Sequence, residues 1–460
     1  MRVELKVIAG PHRGKSFVFD EHQTFLVGRG SRAHFQLETA DPWFSREHFL
    51  IEINPPRCRL FDLESRNGTL VNKRRIQEID LFDGDVICGG KTALRVNIEE
   101  HQRDEFPAIT GTNRMVQRTQ SPDDDVAPAV PELTPASGID EADALSLPVP
   151  DSNQKGLQKT RRSNSTPELK IPQPEGKGDL ETDLLVPGFQ VLRKIGEGGM
   201  GVVYHVMRKE DRQQFALKTI HPDKAASKRE LELFFREIEI LQTLNHPRIV
   251  RFHEMGHVED ELYFLMEYIP GIDADQFYKK EGTLPISVAT RICCEILDGL
   301  EHAHNLGYVH RDIKPGNMLN ADNGNHRGSC LADFGLARAY QTSQLSGLTI
   351  SGEVGGSLAY MAPDQLTNFR NATPACDVYS VTASLYTMLT GKFVYDFTGS
   401  ASQAVARILK GNPTPITEHR SDIPKKLVNV IAKGLEPKPE NRIPEAWKLK
   451  KLLLPFAEFE

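Results

Sequence analysis

Residues 99–187 constrain this chain more than any motif in it, because they lack the means to fold. Over that stretch the chain holds 11 prolines, and 9 Lys+Arg stand against 17 Asp+Glu. Its sharpest part reads "SPDDDVAPAVPELTPASG". A segment so poor in apolar side chains buries too little surface to offset the entropy of ordering it. It therefore reads as a flexible acidic linker, with "KGLQKTRRSNS" as a solvated basic patch inside it. Two blocks are left, residues 1–98 and 188–460, and each must build its own core.

Charge sits unevenly along the 460 residues. The first block has 15 Lys+Arg against 13 Asp+Glu and the last 32 against 33, so the acidity belongs to the linker. A net charge of −7 gives no basic excess of the kind that binds nucleic acid or anionic membrane. Cys58, Cys88, Cys293, Cys294, Cys330 and Cys376 show no Cys-x-x-Cys pair and no metal-ligand spacing, which points to a reduced compartment. "MRVELKVIAG" alternates charged and apolar residues instead of forming a signal-peptide core, and no run approaches the ~18 apolar residues of a membrane span. The expectation is a cytoplasmic protein with no integral membrane segment and no nucleic-acid partner.

In the first block short apolar-rich segments follow one another closely: "VELKVIAG", "SFVFD", "TFLVGR", "FQLE", "HFLIEI", "CRLFDLE", "TLVN", "VICGG", "ALRVNI". Spacers of Gly, Asn, Asp and Pro separate them, the pattern of an all-β antiparallel sandwich. In the last block a strand-rich stretch from Phe189 to Ile220 gives way to helical periodicity from "KRELELFFREIEILQTL" onward. No internal repeat is visible, so this block reads as a single α+β domain.

The last block also carries an ordered set of chemical motifs. "KIGEGGMGVVYHV" places Gly196, Gly198 and Gly201 before Val203. In a dinucleotide-binding unit such glycines open a helix, whereas here they run into β-branched and aromatic residues and must cap a hairpin. "FALK" follows with Ala216 and Lys218, then Glu237 in "FFREIEIL". "VHRDIKPGNML" supplies Asp312, Lys314 and Asn317, and "LADFGLA" supplies Asp333. This series resembles the eukaryotic-like protein kinases over residues 188–458, and "DIKPGN" looks like their Ser/Thr-specific branch. The resemblance implies a bilobal fold that binds ATP and Mg²⁺ and transfers phosphate to protein hydroxyls. By it, the glycines close over the phosphates and Lys218, fixed by Glu237, neutralises them. Asn317 and Asp333 hold Mg²⁺, Asp312 orients the acceptor hydroxyl, and Lys314 steadies the transferred group. In "YFLMEYIPG", Met266 resembles the gatekeeper, with Glu267 and Tyr268 as the hinge that meets adenine. One departure is "MAPDQL", where Asp364 stands for the family's glutamate opposite an arginine such as Arg442. The shorter acid is expected to pair still, with a less rigid activation segment. The stretch from Asn317 to Asp333 is longer than usual and reads as a surface hairpin.

In the first block "SRNGT" is by itself an ordinary turn. It is accompanied by Arg29 in "LVGRG" and by Ser45, Arg46 and His48 in "WFSREHF". Loops at one end of a sandwich cluster, so Arg29, Ser45, Arg46, Arg66 and Asn67 form a phosphate-sized set. Gly28-Arg29, Ser45-x-x-His48 and Asn67-Gly68 resemble the forkhead-associated (FHA) domain over residues 1–98, which implies phosphothreonine binding. Arg29 and Ser45 would hold the phosphate, Arg46 and Arg66 flank it, and Asn67 bind peptide backbone, with Gly28 and His48 as scaffold. A β-sandwich interaction domain without phosphate preference is the plainer alternative for this block.

Together the two resemblances predict a Ser/Thr protein kinase with a phosphothreonine-reading module. Its partners would be protein substrates and phosphothreonine-containing proteins or its own modified segments. Thr110, Thr112, Thr119, Thr134, Thr160, Thr166 and Thr182 of the linker, and Thr342 and Thr349 after Asp333, are the expected autophosphorylation sites. The alternative is a phosphopeptide-binding scaffold with an inactive kinase domain, and phosphate transfer from ATP separates the two.

Overall fold

Strict alternation holds for some strands of the first block and fails for others, and the difference follows from how many faces each sheet buries. The computed structural model describes residues 2–37, 41–55, 57–99, 186–198, 201–220, 243–258, 261–321, 328–334, 356–368 and 372–458. Residues 100–185 of the linker with its threonines, Glu237, Thr342 and Thr349 lie outside the described residues.

The strands are β1 (Arg2–Ala9), β2 (Ser16–Phe19), β3 (Gln23–Gly28), β4 (Phe35–Gln36), β5 (Phe49–Asn54), β6 (Arg57–Asp62), β7 (Thr69–Val71), β8 (Arg74–Ile76), β9 (Glu78–Leu81), β10 (Val86–Gly89) and β11 (Thr92–Glu99). They form a six-stranded sheet, β2-β1-β11-β10-β7-β8, and a five-stranded sheet, β4-β3-β5-β6-β9. Every pairing is antiparallel except the short β4, which runs parallel to β3. In β1 the residues Val3, Leu5 and Val7 face the inter-sheet core while Arg2 and Lys6 are exposed. That is the pattern of a sheet with one wet face.

The five-stranded sheet differs. Phe25 and Val27, Phe49 and Ile51, and Leu60 point into the sandwich core. Their neighbours Leu26, Leu50 and Phe61 point to the opposite face and are buried as well, in the apolar cluster of the second block. Leu26 pairs with Leu50 and Leu50 with Phe61, so the three form one cross-strand row.

The second block opens with a five-stranded antiparallel sheet, β12 (Phe189–Gly198), β13 (Gly201–Arg208), β14 (Gln214–Ile220), β15 (Phe252–Val258) and β16 (Glu261–Glu267), ordered β12-β13-β14-β16-β15. A small three-stranded sheet follows from β17 (Gly271–Asp273), β18 (Met318–Ala321) and β19 (Gly328–Leu331). The long connection after Asn317 is thus a hairpin, as expected, with β18 antiparallel to β19. The helices are α1 (Ala274–Glu281), α2 (Ile286–Asn305), α3 (Pro363–Thr367), α4 (Pro374–Thr390), α5 (Ala401–Lys410), α6 (Lys425–Gly434) and α7 (Ala446–Leu453).

Sequence sets their ends. Asp273 caps α1 by accepting from the Gln276 N–H, and Ser400 with Gln403 makes a reciprocal capping box at α5, which stops at left-handed Gly411. Helix α4 is buried from Ala375 to Leu389 and so shows no polar face. Its hydroxyls stay satisfied by bonding back one turn, Thr382 to the Val378 carbonyl and Ser384 to that of Ser380. Among the described residues no helix is long and apolar enough to cross a membrane.

Candidate active site

At the edge of the first sheet in the second block, the glycine-rich segment forms the expected hairpin. Gly196 lies opposite Val203 and Gly198 opposite Gly201, whose φ of 140° suits only glycine. The tip residues 199–200 lie outside the description. Lys218 sits on β14 between Val203 and Phe264 and is buried. Its Nζ donates to Asp333 Oδ2 at 2.6 Å. Burial alone would raise the Asp333 carboxyl, but the charge and hydrogen bond of Lys218, helped by Lys314 and His310, hold it below the usual carboxylate range. Ala216 pairs with Met266 across β14 and β16. The Glu267 N–H donates to the Arg251 carbonyl, and the Tyr268 ring stacks on His205 at 3.6 Å while its hydroxyl accepts from Arg193. Tyr268 therefore turns its side chain to the strands, and only its backbone is left to act as a hinge.

Below this sheet, "HRDIKPGN" forms a tight loop. Lys314 Nζ donates to Asp312 Oδ2 at 3.0 Å and to Ser357 Oγ at 2.8 Å. Asn317 Nδ2 donates to the Asp312 carbonyl at 2.7 Å and to its Oδ2 at 3.3 Å. The Asn317 carbonyl accepts from Ala332 N–H, which ties this loop to the residue beside Asp333.

Sequence reasoning missed what holds the loop. Asp377, fully buried on α4, accepts from the His310 N–H at 2.8 Å, the Arg311 N–H at 2.9 Å and His304 Nε2 at 2.8 Å. Burial would raise its carboxyl, but those donors and the nearby imidazoles hold it low. Arg311 has a φ of 69°, costly for a residue with a Cβ, and its carbonyl accepts from Gln365 Nε2 at 2.6 Å. The strained residue is thus gripped from both sides, directly before Asp312. The signal in sequence is slight: an aspartate in "PACDVYSV", among apolar residues.

The expected substitution at Asp364 retains its partner. Arg442 Nη2 donates to Asp364 Oδ1 at 2.7 Å, while Arg442 also serves the carbonyls of Glu436, Ala375 and Pro437.

At one end of the sandwich three loops are stitched together. Arg29 N–H donates to the Ser45 carbonyl and Arg29 Nε to the Phe44 carbonyl at 2.5 Å. The Arg66 N–H donates to Ser45 Oγ at 3.0 Å, and Asn67 Nδ2 to the Trp43 carbonyl at 2.6 Å. All five predicted residues, Arg29, Ser45, Arg46, Arg66 and Asn67, therefore lie on loops in direct contact. Gly28 is scaffold as expected, since a Cβ there would meet the Arg46 carbonyl oxygen at 2.2 Å. His48 is buried, accepts the Ser45 N–H at Nδ1 and reaches the Gly68 carbonyl with Nε2. Burial pushes its imidazole below the ordinary range against the pull of that carbonyl, Asp62 and Asp41. Asp62 was also missed. It accepts from Ser65 Oγ, Thr69 Oγ1 and the Ser65 N–H, and so fixes the "SRNGT" turn.

The family model of the protein kinase domain matches residues 189–451, more than half of the chain. The chain belongs to the protein kinase family. Its kinase domain is preceded by a match to the FHA domain over residues 25–90. Similar proteins include the probable serine/threonine-protein kinase pknA2 of Bifidobacterium longum, 32% identical over 254 residues, which are 54% of this chain and 31% of that protein. The serine/threonine-protein kinase PrkC of Bacillus subtilis is 31% identical over 55% of this chain and 38% of its own length. The kinase family chain thus spans about a third of the length of these curated relatives. A crystal structure of Rad53 1-466 with AMP-PNP aligns with 98% of each chain at 19% identity and a TM-score of 0.48.

Proposed function

We propose that this chain is an ATP-dependent serine/threonine protein kinase whose FHA domain reads phosphothreonine on protein partners or on its own phosphorylated segments. The observation that carries the reading is the convergence of Lys218 with Asp333, and of Asp312 with Lys314 and Asn317, joined through the Ala332–Asn317 bond. These residues come from separate elements, and no core-packing role would gather so many ionic groups.

In this reading Gly196, Gly198 and Gly201 bring backbone amides over the nucleotide phosphates, and Val203, Ala216 and the Glu267–Tyr268 backbone flank the base. Lys218 offsets phosphate charge, with Glu237 as its proposed second partner. The oxygens of Asn317 and Asp333 suit Mg²⁺, a hard cation. The Asn317 amide nitrogen is turned to Asp312, so its carbonyl oxygen faces the other way, and Asp333 is held ionised. A bound Mg²⁺ would neutralise charge on the phosphates. Asp312 orients a Ser or Thr hydroxyl of the substrate and takes its proton as the new O–P bond forms. The bond from the γ-phosphorus to the bridging oxygen breaks, and ADP leaves. Lys314 steadies the transferred group. In the FHA domain Arg29 and Ser45 take the phosphate, Arg46 and Arg66 flank it and Asn67 holds peptide backbone.

The domain limits in this reading are 1–98, 99–187 and 188–460. Strand β11 continues to Glu99 and Val186 packs with the first kinase sheet, and both observations support these limits. The proposed cytoplasmic location draws support from the six cysteines, which form no disulfide.

Purified chain incubated with labelled ATP and Mg²⁺ is expected to label itself or a basic protein, and Asp312→Asn to abolish this while nucleotide binding persists. Near wild-type turnover in the variant would refute the assignment. For the FHA domain, Arg29→Ala is expected to abolish the preference for a phosphothreonine peptide over its unphosphorylated twin. Equal affinity of the wild type for the two peptides would refute phosphate reading.

A further inference from the structure

The five-stranded sheet of the FHA domain presents apolar side chains on both faces, and the outer row is covered by the kinase domain. Both domains belong to one compact unit. Leu26, Leu50, Phe61 and Leu63 are each buried within the kinase apolar cluster, with Ala33 packed against it. Polar contacts ring this row. Arg32 Nη2 donates to the Leu409 carbonyl at 2.6 Å, Ser402 Oγ donates to the Gln77 carbonyl at 2.6 Å, and Lys410 Nζ pairs with Glu64 Oε2 at 2.5 Å. His34 accepts the Leu26 N–H at Nδ1 and meets the Thr367 backbone. The kinase elements engaged are therefore α3, which follows the Ser357 segment bonded to Lys314, and α5.

The same loops carry both sets of residues. After β3 come Arg29 of the phosphate set and Arg32 of the seam. Before β5 come Arg46 of the phosphate set and Glu47, which pairs with Arg32. After β6 come Glu64 of the seam and Arg66 of the phosphate set. Glu47 thus ties Arg32 of the seam to the segment that carries Arg46.

We propose that the outer face of the FHA five-stranded sheet is a docking surface for helices α3 and α5 of its own chain, and that docking and phosphothreonine binding strengthen each other through these three shared loops. The coupling half rests on the phosphothreonine reading above; the docking half does not. Two physical effects share one sign. Docking fixes Arg32 and Glu64, so less loop freedom remains to be lost when a ligand binds. A phosphate held by Arg29, Arg46 and Arg66 adds negative charge to the same loops that present Glu64 to Lys410. Coupling of this kind is reciprocal, so each partner tightens the other by the same factor. An antiparallel sheet with a wet outer face would alternate polar and apolar residues, and "TFLVG" and "HFLIEI" do not.

The test uses the full chain and a kinase-side variant, Ser402→Arg, which removes the Gln77 contact and places bulk in the seam without altering the sandwich. A zero-length carbodiimide cross-linker is expected to join Lys410 to Glu64 in the wild type, and only within single molecules when isotope-labelled and unlabelled chains are mixed. The link should be lost in Ser402→Arg. Its absence from the wild type, or its formation between chains, overturns docking in cis. The peptide of residues 162–170 phosphorylated on Thr166 is then titrated into both proteins. About tenfold weaker binding in Ser402→Arg is expected, within the usual range of coupling factors, with the difference shrinking at high salt. Equal affinities overturn the coupling. A cross-linked wild type that ignores the phosphopeptide overturns phosphate reading, and the coupling with it, while docking stands.

Discussion

Replacing Asp377 by asparagine keeps the shape of the side chain and removes one acceptor and the charge. In the native protein Oδ1 accepts from the Arg311 N–H, and Oδ2 from the His310 N–H and His304 Nε2. An amide whose oxygen stays with His310 and His304 turns its NH₂ toward the Arg311 N–H, two donors face to face. Leaving that buried N–H unsatisfied costs about 1–3 kcal/mol. The two remaining bonds fall from charge-assisted to neutral strength, roughly 1 kcal/mol each. The sum, about 3–5 kcal/mol, equals that of removing one partner from a buried ionic group. For a domain of this size it should lower the melting temperature by on the order of 10 °C. Catalysis should suffer separately. Arg311, at a φ of 69°, would lose one of its two clamps, and it directly precedes Asp312. A shift of about 1 Å in that carboxylate is worth on the order of 10²-fold in kcat. Nucleotide affinity should change little, because the Lys218–Asp333 pair takes no bond from Asp377. Thermal melts supply the first number, turnover at 15 °C with a measured folded fraction the second, and nucleotide titration the third. A destabilised variant with undiminished kcat per folded molecule would show that Asp377 holds the core and not the catalytic loop.

Two further outcomes follow from buried groups. Arg442→Met should destabilise the kinase domain more than Asp364→Ala, because it strands an acid and the carbonyls of Glu436, Ala375 and Pro437, whereas Asp364→Ala leaves the arginine three acceptors; equal melting temperatures would refute this ordering. The FHA domain should lose stability as pH falls from 7.5 to 5.5. Burial holds His48 and His34 below their ordinary value, so the unfolded chain binds more protons as pH drops below about 6.5, and the stabilisation present above that value is lost towards the folded-state values. A flat melting profile over that window would sink the argument.

The groups proposed to touch ligands were legible because their chemistry is local. Lys218, Asp312, Lys314, Asn317 and Asp333 stand in short motifs whose residue types the reaction demands, and the structure brings them into two bonded clusters. The groups that position them were not. Asp377 is remote in sequence from the His310–Arg311 backbone it holds, and a lone aspartate in an apolar helix carries no spacing signal. Asp62 lies nearer, three residues before Ser65, yet its hold on Thr69 depends on a turn that only tertiary contacts close. Positioning of this kind is a matter of who receives a backbone N–H, and sequence records the donor in every residue alike.

The outer face of the FHA sheet shows the same limit from the other side. The excess of apolar residues in "TFLVG", "HFLIEI" and "CRLFDL" is plain in the sequence, where by itself it signals strands. Counted by face, it is one row too many for a two-sheet sandwich: Phe25, Ile51 and Leu60 fill the inner core, and Leu26, Leu50 and Phe61 have no place there. A row of three large apolar side chains left in water is rare on a soluble surface and marks a site of association. Sequence could therefore have announced that this sheet needs a cover. It could not have named the cover, because α5 begins more than 300 residues later and pairing across such a distance leaves no local trace. Helix α5 supplies what the row lacks, with Ser402 and Lys410 of one helix bonded to Gln77 and Glu64 of the sandwich.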